Sequence, residues 1–240
     1  MPARSFVRVE KGLYVESPSA CFVHEAGGMA LPKLVELGFE LCGSYALDRG
    51  SERGFRDREP LASVDALRKR IEASKGEHGV KRAAVAVRYL ADGSASPMES
   101  ITVALLCLPR RYGGYGLPLP QMNRWIDAEG RLGRASKGGR FSYDLCWPEQ
   151  GLAVEYDSDR YHTGSARIAG DSRRRTALAL GGLSVVTVTR IQLFDARQFD
   201  EVARLLAKRM GRSLRAVDYD WMTRRYRLRQ ALFDSVRLRG

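Results

Sequence analysis

Two hundred and forty residues with 44% hydrophobic and 28% charged side chains exclude a disulfide-stapled miniprotein, a collagen-like fibre and a wholly disordered tail. The length allows one large domain or two modest ones, each able to bury a core without covalent staples. Charge is the strongest compositional fact: 40 Lys and Arg against 28 Asp and Glu give +12, an excess that suits an anionic partner, with nucleic acid the first candidate.

No run approaches the roughly 18 to 20 apolar residues of a bilayer span, so no membrane is expected. The opening segment has neither the apolar core nor the small-residue cleavage site of a secretory signal. Cys21, Cys42, Cys107 and Cys146 lie far apart, with no Cys-x-x-Cys pair, and read as small buried residues of a reducing, cytoplasmic compartment.

Residues 1–92 are expected to form a mainly helical accessory region. An apolar-periodic segment from Glu25 to Leu41 is interrupted by Pro32, Ser63 caps a helix starting at Asp65, and another helix covers roughly Val80 to Leu90. His24 stands alone and reads as a packed or surface residue. The small polar stretch Ala91 to Ser96 is the expected boundary. Residues 93–212 then hold the chemistry. Ser96-Pro97-Met98-Glu99 opens a helix that Pro109 and a Gly-rich run terminate. Strands are expected at Gln121 to Asp127, Phe141 to Trp147, Leu152 to Asp157 and Leu183 to Arg190. A helix is expected from about Ala166 to Leu180, closed by Gly181-Gly182, and another from Asp200 to Met210. A basic helix in 213–240 completes the chain. From Arg204 onward the balance is +8, two thirds of the whole excess in the last stretch.

If Pro148-Glu149-Gln150-Gly151 is the loop between two strands, Trp147 faces Leu152, and Asp144 falls opposite Glu155 with Cβ atoms about 4.5 to 5.5 Å apart. Strand alternation puts Asp157 on the same face. Like charges so placed destabilise a sheet by up to about 1 kcal/mol per pair. A hard divalent cation relieves that repulsion, because Mg²⁺ accepts carboxylates together with waters and phosphate oxygens. Arginine pairing on a solvated face is the alternative. Glu99 has two readings as well: partner of Ser96 in a capping box, or an acid that completes a metal shell. His162 serves either as a general acid or base near the metal or as a loop residue. In Asp171-Ser172-Arg173-Arg174-Arg175, consecutive arginines point in different directions, so at least one faces the acids or a phosphate backbone. Arg134, Lys137 and Arg140 in the loop before the first acidic strand suit a phosphate backbone. Arg224, Arg225 and Arg227 in the tail do too, unless that helix simply packs on the body with a solvated basic face.

Ser-Pro-Met-Glu99, Tyr-Asp144-Leu-Cys-Trp-Pro, Val-Glu155-Tyr-Asp157, Tyr-His162 and Gly-Asp171-Ser-Arg-Arg174 together resemble an endonuclease-like domain family related to the very-short-patch repair endonucleases, within the PD-(D/E)xK restriction-endonuclease-like superfamily. The resemblance spans about Ser96 to Met210. It implies a three-layer α/β/α core around a mixed sheet and a Mg²⁺- or Mn²⁺-dependent phosphodiesterase site. By that likeness Asp144 and Glu155 are metal ligands, Glu99 matches the helix glutamate, and Asp171 and Arg174 match the helix after the acidic strand. Asp157 stands where the superfamily usually keeps a lysine, which leaves Asp157, His162, Arg174 or the metal to orient the attacking water. Residues 1–90 are similar to accessory regions of actinobacterial proteins, some resembling abortive-infection antitoxin modules.

The resulting expectation is a Mg²⁺-dependent endonuclease acting on DNA. Two alternatives stand beside it: a non-cleaving nucleic-acid-binding or toxin–antitoxin-like regulator on the same scaffold, and a phosphohydrolase of small nucleotides. No base-reading module is visible, so base specificity is not expected.

Overall fold

The Ser63 hydroxyl accepts a hydrogen bond from the Ala66 amide, starting a helix whose periodic apolar residues Val64, Leu67 and Ile71 are all buried. This is one of several local signals realised in the computed structural model, which describes residues 5–127, 140–157 and 184–236. The chain is mixed α/β and divides into two units, Met1–Leu119 with Val217–Gly240, and Pro120–Ala216.

The first unit opens with a hairpin, β1 (Phe6–Glu10) and β2 (Leu13–Glu16), turned at Gly12 with φ +83°. Helices α1 (Pro18–Glu25) and α2 (Leu31–Cys42) follow, each with a proline in its first turn, where no intrahelical donor is lost. Pro32 therefore begins a helix where an interruption was expected. A second small hairpin, β3 (Tyr45–Leu47) with β4 (Phe55–Asp57), precedes α3 (Val64–Ala73) and α4 (Val80–Ala86), and α4 runs on as a 3₁₀ turn over Val87–Tyr89. The expected mainly helical region thus also carries two short hairpins.

Helix α5 (Pro97–Cys107) is buried along nearly its whole length, from Glu99 through Cys107. A helix apolar on all sides belongs at the centre of a core, and α5 lies against α2 and α8 (Tyr219–Phe233) inside the first unit. The division between the units falls after Leu119, and the polar stretch Ala91 to Ser96 lies inside the first unit, with Ser94 buried. Ser94 and Ser100 are buried and share a hydrogen bond at 2.8 Å, and the Tyr45 hydroxyl reaches Ser100 at 2.8 Å. Burial pushes the Tyr45 phenol well above its ordinary value, despite the opposing Ser100 hydrogen bond. Cys42 and Cys107 are buried in the same unit, and burial likewise pushes the Cys42 thiol up to about 12. All four cysteines are free thiols.

The second unit is built on a four-stranded sheet in the order β5 (Gln121–Asp127), β6 (Arg140–Trp147), β7 (Leu152–Asp157), β8 (Ser184–Thr189). β5, β6 and β7 run antiparallel in turn, and β8 joins β7 in parallel. Such a parallel step needs a crossover connection; its residues, 158–183, with the helix expected near Ala166 to Leu180, lie outside the described residues. After β8, a Thr189–Gln192 capping box starts the short helix α6 (Arg190–Phe194). Asp195 then caps α7 (Ala196–Arg209), whose Phe199, Val202, Ala203, Leu206 and Ala207 are buried at helical spacing. Arg209 donates to the Ser184 hydroxyl, tying the end of α7 to the start of β8. Among the described residues no helix is long and apolar enough to cross a membrane.

Candidate functional site

The β6–β7 turn is made by Pro148–Gln150 in a 3₁₀ turn and Gly151 at φ +55°, a left-handed conformation that glycine adopts at little cost. Trp147 pairs with Leu152, Cys146 with Ala153 and Leu145 with Val154, the register expected from the loop. All six side chains are buried, so both faces of the sheet are covered at the turn end. Exposure then rises along β7: Glu155 and Tyr156 are half-buried and Asp157 is exposed. Cover is lost where the acids begin.

Position 144 is where the regular ladder gives way. The paired positions of β6 and β7 reach Leu145 and Val154, and beyond them the Tyr156 amide donates at 2.7 Å to the Asp144 carboxylate. An aspartate side chain thus takes a cross-strand bond of the kind a backbone carbonyl makes in a regular ladder. On the other side, Met122 pairs with Leu145 and Arg124 with Tyr143, and between them Asn123 has φ +46°. That left-handed conformation is unusual for a non-glycine residue, most tolerable for asparagine, and concentrated at functional sites where surrounding structure holds it in place. The sheet is irregular on both sides of Asp144.

Glu155 follows Val154 on β7 and pairs in parallel with Thr187 of β8, while Asp157 pairs with Thr189. Parallel partners share a face, so two threonine hydroxyls border the two acids. Asp144 and Glu155 are hard oxygen donors on adjoining strands, a set suited to Mg²⁺, which often uses only one or two carboxylates beside water and phosphate oxygens. The paired positions end at Leu145 and Val154, so the expected direct pairing of Asp144 with Glu155 is not among them. Among the described residues, no three His, Cys, Asp or Glu side chains gather as a metal-holding group, so Asp144, Glu155 and Asp157 do not together form a three-acid shell. His162, Asp171, Arg173 and Arg174 lie outside the described residues.

Glu99 lies in the first unit, in the first turn of α5, and is only 7% exposed. Its carboxylate accepts from the Ala95 amide at 2.9 Å and the Ser96 hydroxyl at 2.8 Å, while its own amide donates to Ser96 at 3.2 Å. These are the contacts of a helix cap. They account for the burial of this charge without invoking an ion.

Of the basic residues expected to meet nucleic acid, Arg134 and Lys137 lie outside the described residues, and Arg140 is described only in its backbone, paired with Asp127 at the start of β6. The three in the tail are on α8. Arg224 donates to the Arg110 carbonyl at 3.2 Å and its guanidinium is 3.8 Å from Asp218; Arg225 lies over the Trp221 ring at 4.9 Å; Arg227 is exposed. Asp218 caps α8 by accepting from the Trp221 amide at 2.6 Å and pairs with Arg110 at 2.7 Å. Those two contacts, the amide first, hold its carboxyl below the ordinary value. The alternative of a helix packed on the body is realised on one side: Trp221, Leu228, Leu232 and Phe233 are buried. The other side faces solvent.

The sequence reading did not single out Asn123 or the Tyr156 amide. A strand asparagine next to a methionine carries no positional signal, and a backbone donor has no sequence signature. Arg110, fastened to Asp218 across a separation of 108 residues, was equally invisible.

Two proteins of Mycobacterium tuberculosis, described as uncharacterised and found one in each of two strains, are each 32% identical to this chain over 152 residues, or 62% of its length. The chain spans about half the length of these curated relatives, the aligned part covering 49% of each. No family model matches the chain, and no solved structure does.

Proposed function

We propose that this chain is a Mg²⁺-dependent nuclease hydrolysing phosphodiester bonds, with DNA as its substrate, on a three-layer α/β/α core of the restriction-endonuclease-like kind. The observation that carries the reading is the break in the sheet at Asp144, with Glu155 on the adjoining strand at the point where cover is lost. The mixed order of antiparallel, antiparallel and parallel strands accords with that core, and the net charge of +12 accords with a polyanionic substrate. Four free thiols accord with a cytoplasmic setting.

In this mechanism Asp144 and Glu155 hold the ion, and the Tyr156 amide fixes the orientation of the Asp144 carboxylate before substrate arrives. Bound there, Mg²⁺ supplies charge neutralisation at the scissile phosphate and the leaving oxygen. Asp157 stands in the place of the superfamily's lysine, and Asp157, His162, Arg174 or the metal would orient the attacking water, His162 and Arg174 lying outside the described residues. Glu99 caps α5 in the first unit.

One observation favours a second reading, a nucleic-acid-binding regulator that does not cut. Asp144 is already engaged by a backbone amide, and no third protein donor joins the pair among the described residues. The test uses plasmid and single-stranded DNA with Mg²⁺ or Mn²⁺. Cleavage by the native chain that disappears in Asp144→Asn supports the nuclease. Binding by both proteins with cleavage by neither overturns it in favour of the regulator.

A further inference from the structure

Helix α8 has one face with no place in the core. Tyr219 is 79% exposed, Tyr226 62% and Met222 42%, at spacings that put all three on one side of a helix. Two tyrosines seven residues apart stand about 10 Å from each other along the axis. Single exposed aromatics are ordinary, but this pair is flanked by Arg225 and Arg227, with Asp218 and Asp220 on either side of Tyr219. Arg224, Arg225 and Arg227 lie on the same helix, with Asp220 the one acid between Tyr219 and Phe233.

A second element packs against the other side of α8 and fixes how its exposed face is presented. The turn Arg110–Tyr112 is fastened to the start of α8 by the Arg110–Asp218 ion pair and by the bond from Arg224 to the Arg110 carbonyl. The Trp221 indole donates to the Gly114 carbonyl at 3.1 Å and lies beneath the guanidiniums of Arg110, at 4.7 Å, and Arg225. Gly113, at φ +94°, brings the turn so close that a Cβ there would meet the Arg224 carbonyl oxygen at 2.5 Å. Arg225 is thereby held beside a buried ring. Holding long cationic side chains in place through a buried ring lowers the entropy lost when they meet an anion.

We propose that the exposed face of α8, with Arg225 and Arg227 flanking it, binds single-stranded nucleic acid, these arginines on the phosphates and Tyr219 and Tyr226 stacked on bases. The charge complements a phosphate backbone. The tyrosines decide the form: a duplex hides its base faces, whereas a single strand offers them to aromatic rings. The inference rests on the reading of nucleic acid as partner and is independent of the acidic pair.

The test is fluorescence anisotropy on the full chain in EDTA, with a labelled mixed-sequence 20-mer as single-stranded DNA, as single-stranded RNA and as DNA duplex. Either single strand should bind more tightly than the duplex. Tyr219→Ala with Tyr226→Ala should weaken single-strand binding about 30-fold, two stacked bases' worth, and leave duplex binding unchanged; Tyr→Phe at both should restore it. Arg227→Gln should lower the single-strand salt slope by about 0.7, one phosphate contact. Circular dichroism melting reports whether each variant is folded. Equal or tighter duplex binding, no loss in the folded tyrosine variant, or equal competition by polyglutamate overturns the proposal. Anisotropy in EDTA reads the face of α8 with no ion at the acidic pair, and cleavage with Mg²⁺ reads the pair, so failure of the acidic site and failure of the α8 face are read separately.

Discussion

Replacing Asp144 by alanine and by asparagine separates two roles of one carboxylate. Its 2.7 Å bond from the Tyr156 amide is charge-assisted and partly buried. Such bonds contribute about 1.5 to 3 kcal/mol, and partial exposure puts this one near the lower end. Alanine removes the acceptor and leaves an amide in the sheet without it, for a loss of about 2 kcal/mol. Asparagine keeps an acceptor oxygen in the same place and loses only the charge assistance, about 1 kcal/mol or less. The gap of about 1 kcal/mol corresponds to roughly 4 to 8 °C in melting temperature for a unit of this size. Thermal melts in EDTA measure it. The second arm adds Mn²⁺ in hundredfold excess over its dissociation constant, which stabilises a chain that binds it by about 2.7 kcal/mol; asparagine should abolish that gain. Equal melting temperatures for the alanine and asparagine variants in EDTA would refute the structural argument. A full Mn²⁺ gain in Asp144→Asn would refute the assignment of the ion to this pair.

Glu99→Ala removes the acceptor of the Ala95 and Ser96 bonds at the start of α5 and should cost about 1 to 2 kcal/mol in urea unfolding. The loss should be the same in EDTA and in Mg²⁺; a loss seen only with metal present would restore Glu99 to an ion. Asn123→Ala should destabilise by about 1 kcal/mol because alanine resists the left-handed region, while Asn123→Gly should be tolerated; equal behaviour of the two would remove the case for strain. The Asp218 carboxyl titrates below its ordinary value of 3.8, so its stabilising contribution is complete well above that pH and disappears as pH falls through the lowered value. The difference in melting temperature between the native chain and Asp218→Asn should therefore shrink on acidification below 3.8; a difference constant into acid would show that neither the Trp221 amide nor Arg110 depends on the charge.

Several elements were legible because their signals are local. Ser63 caps a helix wherever it is followed by periodic apolar residues, and Pro148 to Gly151 between two β-forming runs leaves little choice of register. β7 and the span of β8 were readable from β-branched and apolar patterning. The hairpin Phe6 to Glu16 was missed although its residues alternate, because half-exposed apolar side chains on both strands do not mark a buried face. Pro32 was read as a break because a proline's position within a helix, first turn or interior, depends on where the helix begins. The place of Ser96-Pro97-Met98-Glu99 was legible as a cap and illegible as to which unit it joins, since all sides of α5 are apolar and no polar stripe tells the neighbours apart.

The chain's covalent order determined the pairing of Trp147 with Leu152 and the caps of its helices, because a turn or a cap is closed by residues a few positions apart, whose types alone set its geometry. Tertiary structure alone decided that Asp144 bonds the Tyr156 amide, that Asn123 is turned left-handed beside it, and that Arg110 is fastened to α8. Those contacts join residues of different strands or of segments far apart in the chain. Their energies become available only after the core has fixed where each backbone runs, which no local preference encodes.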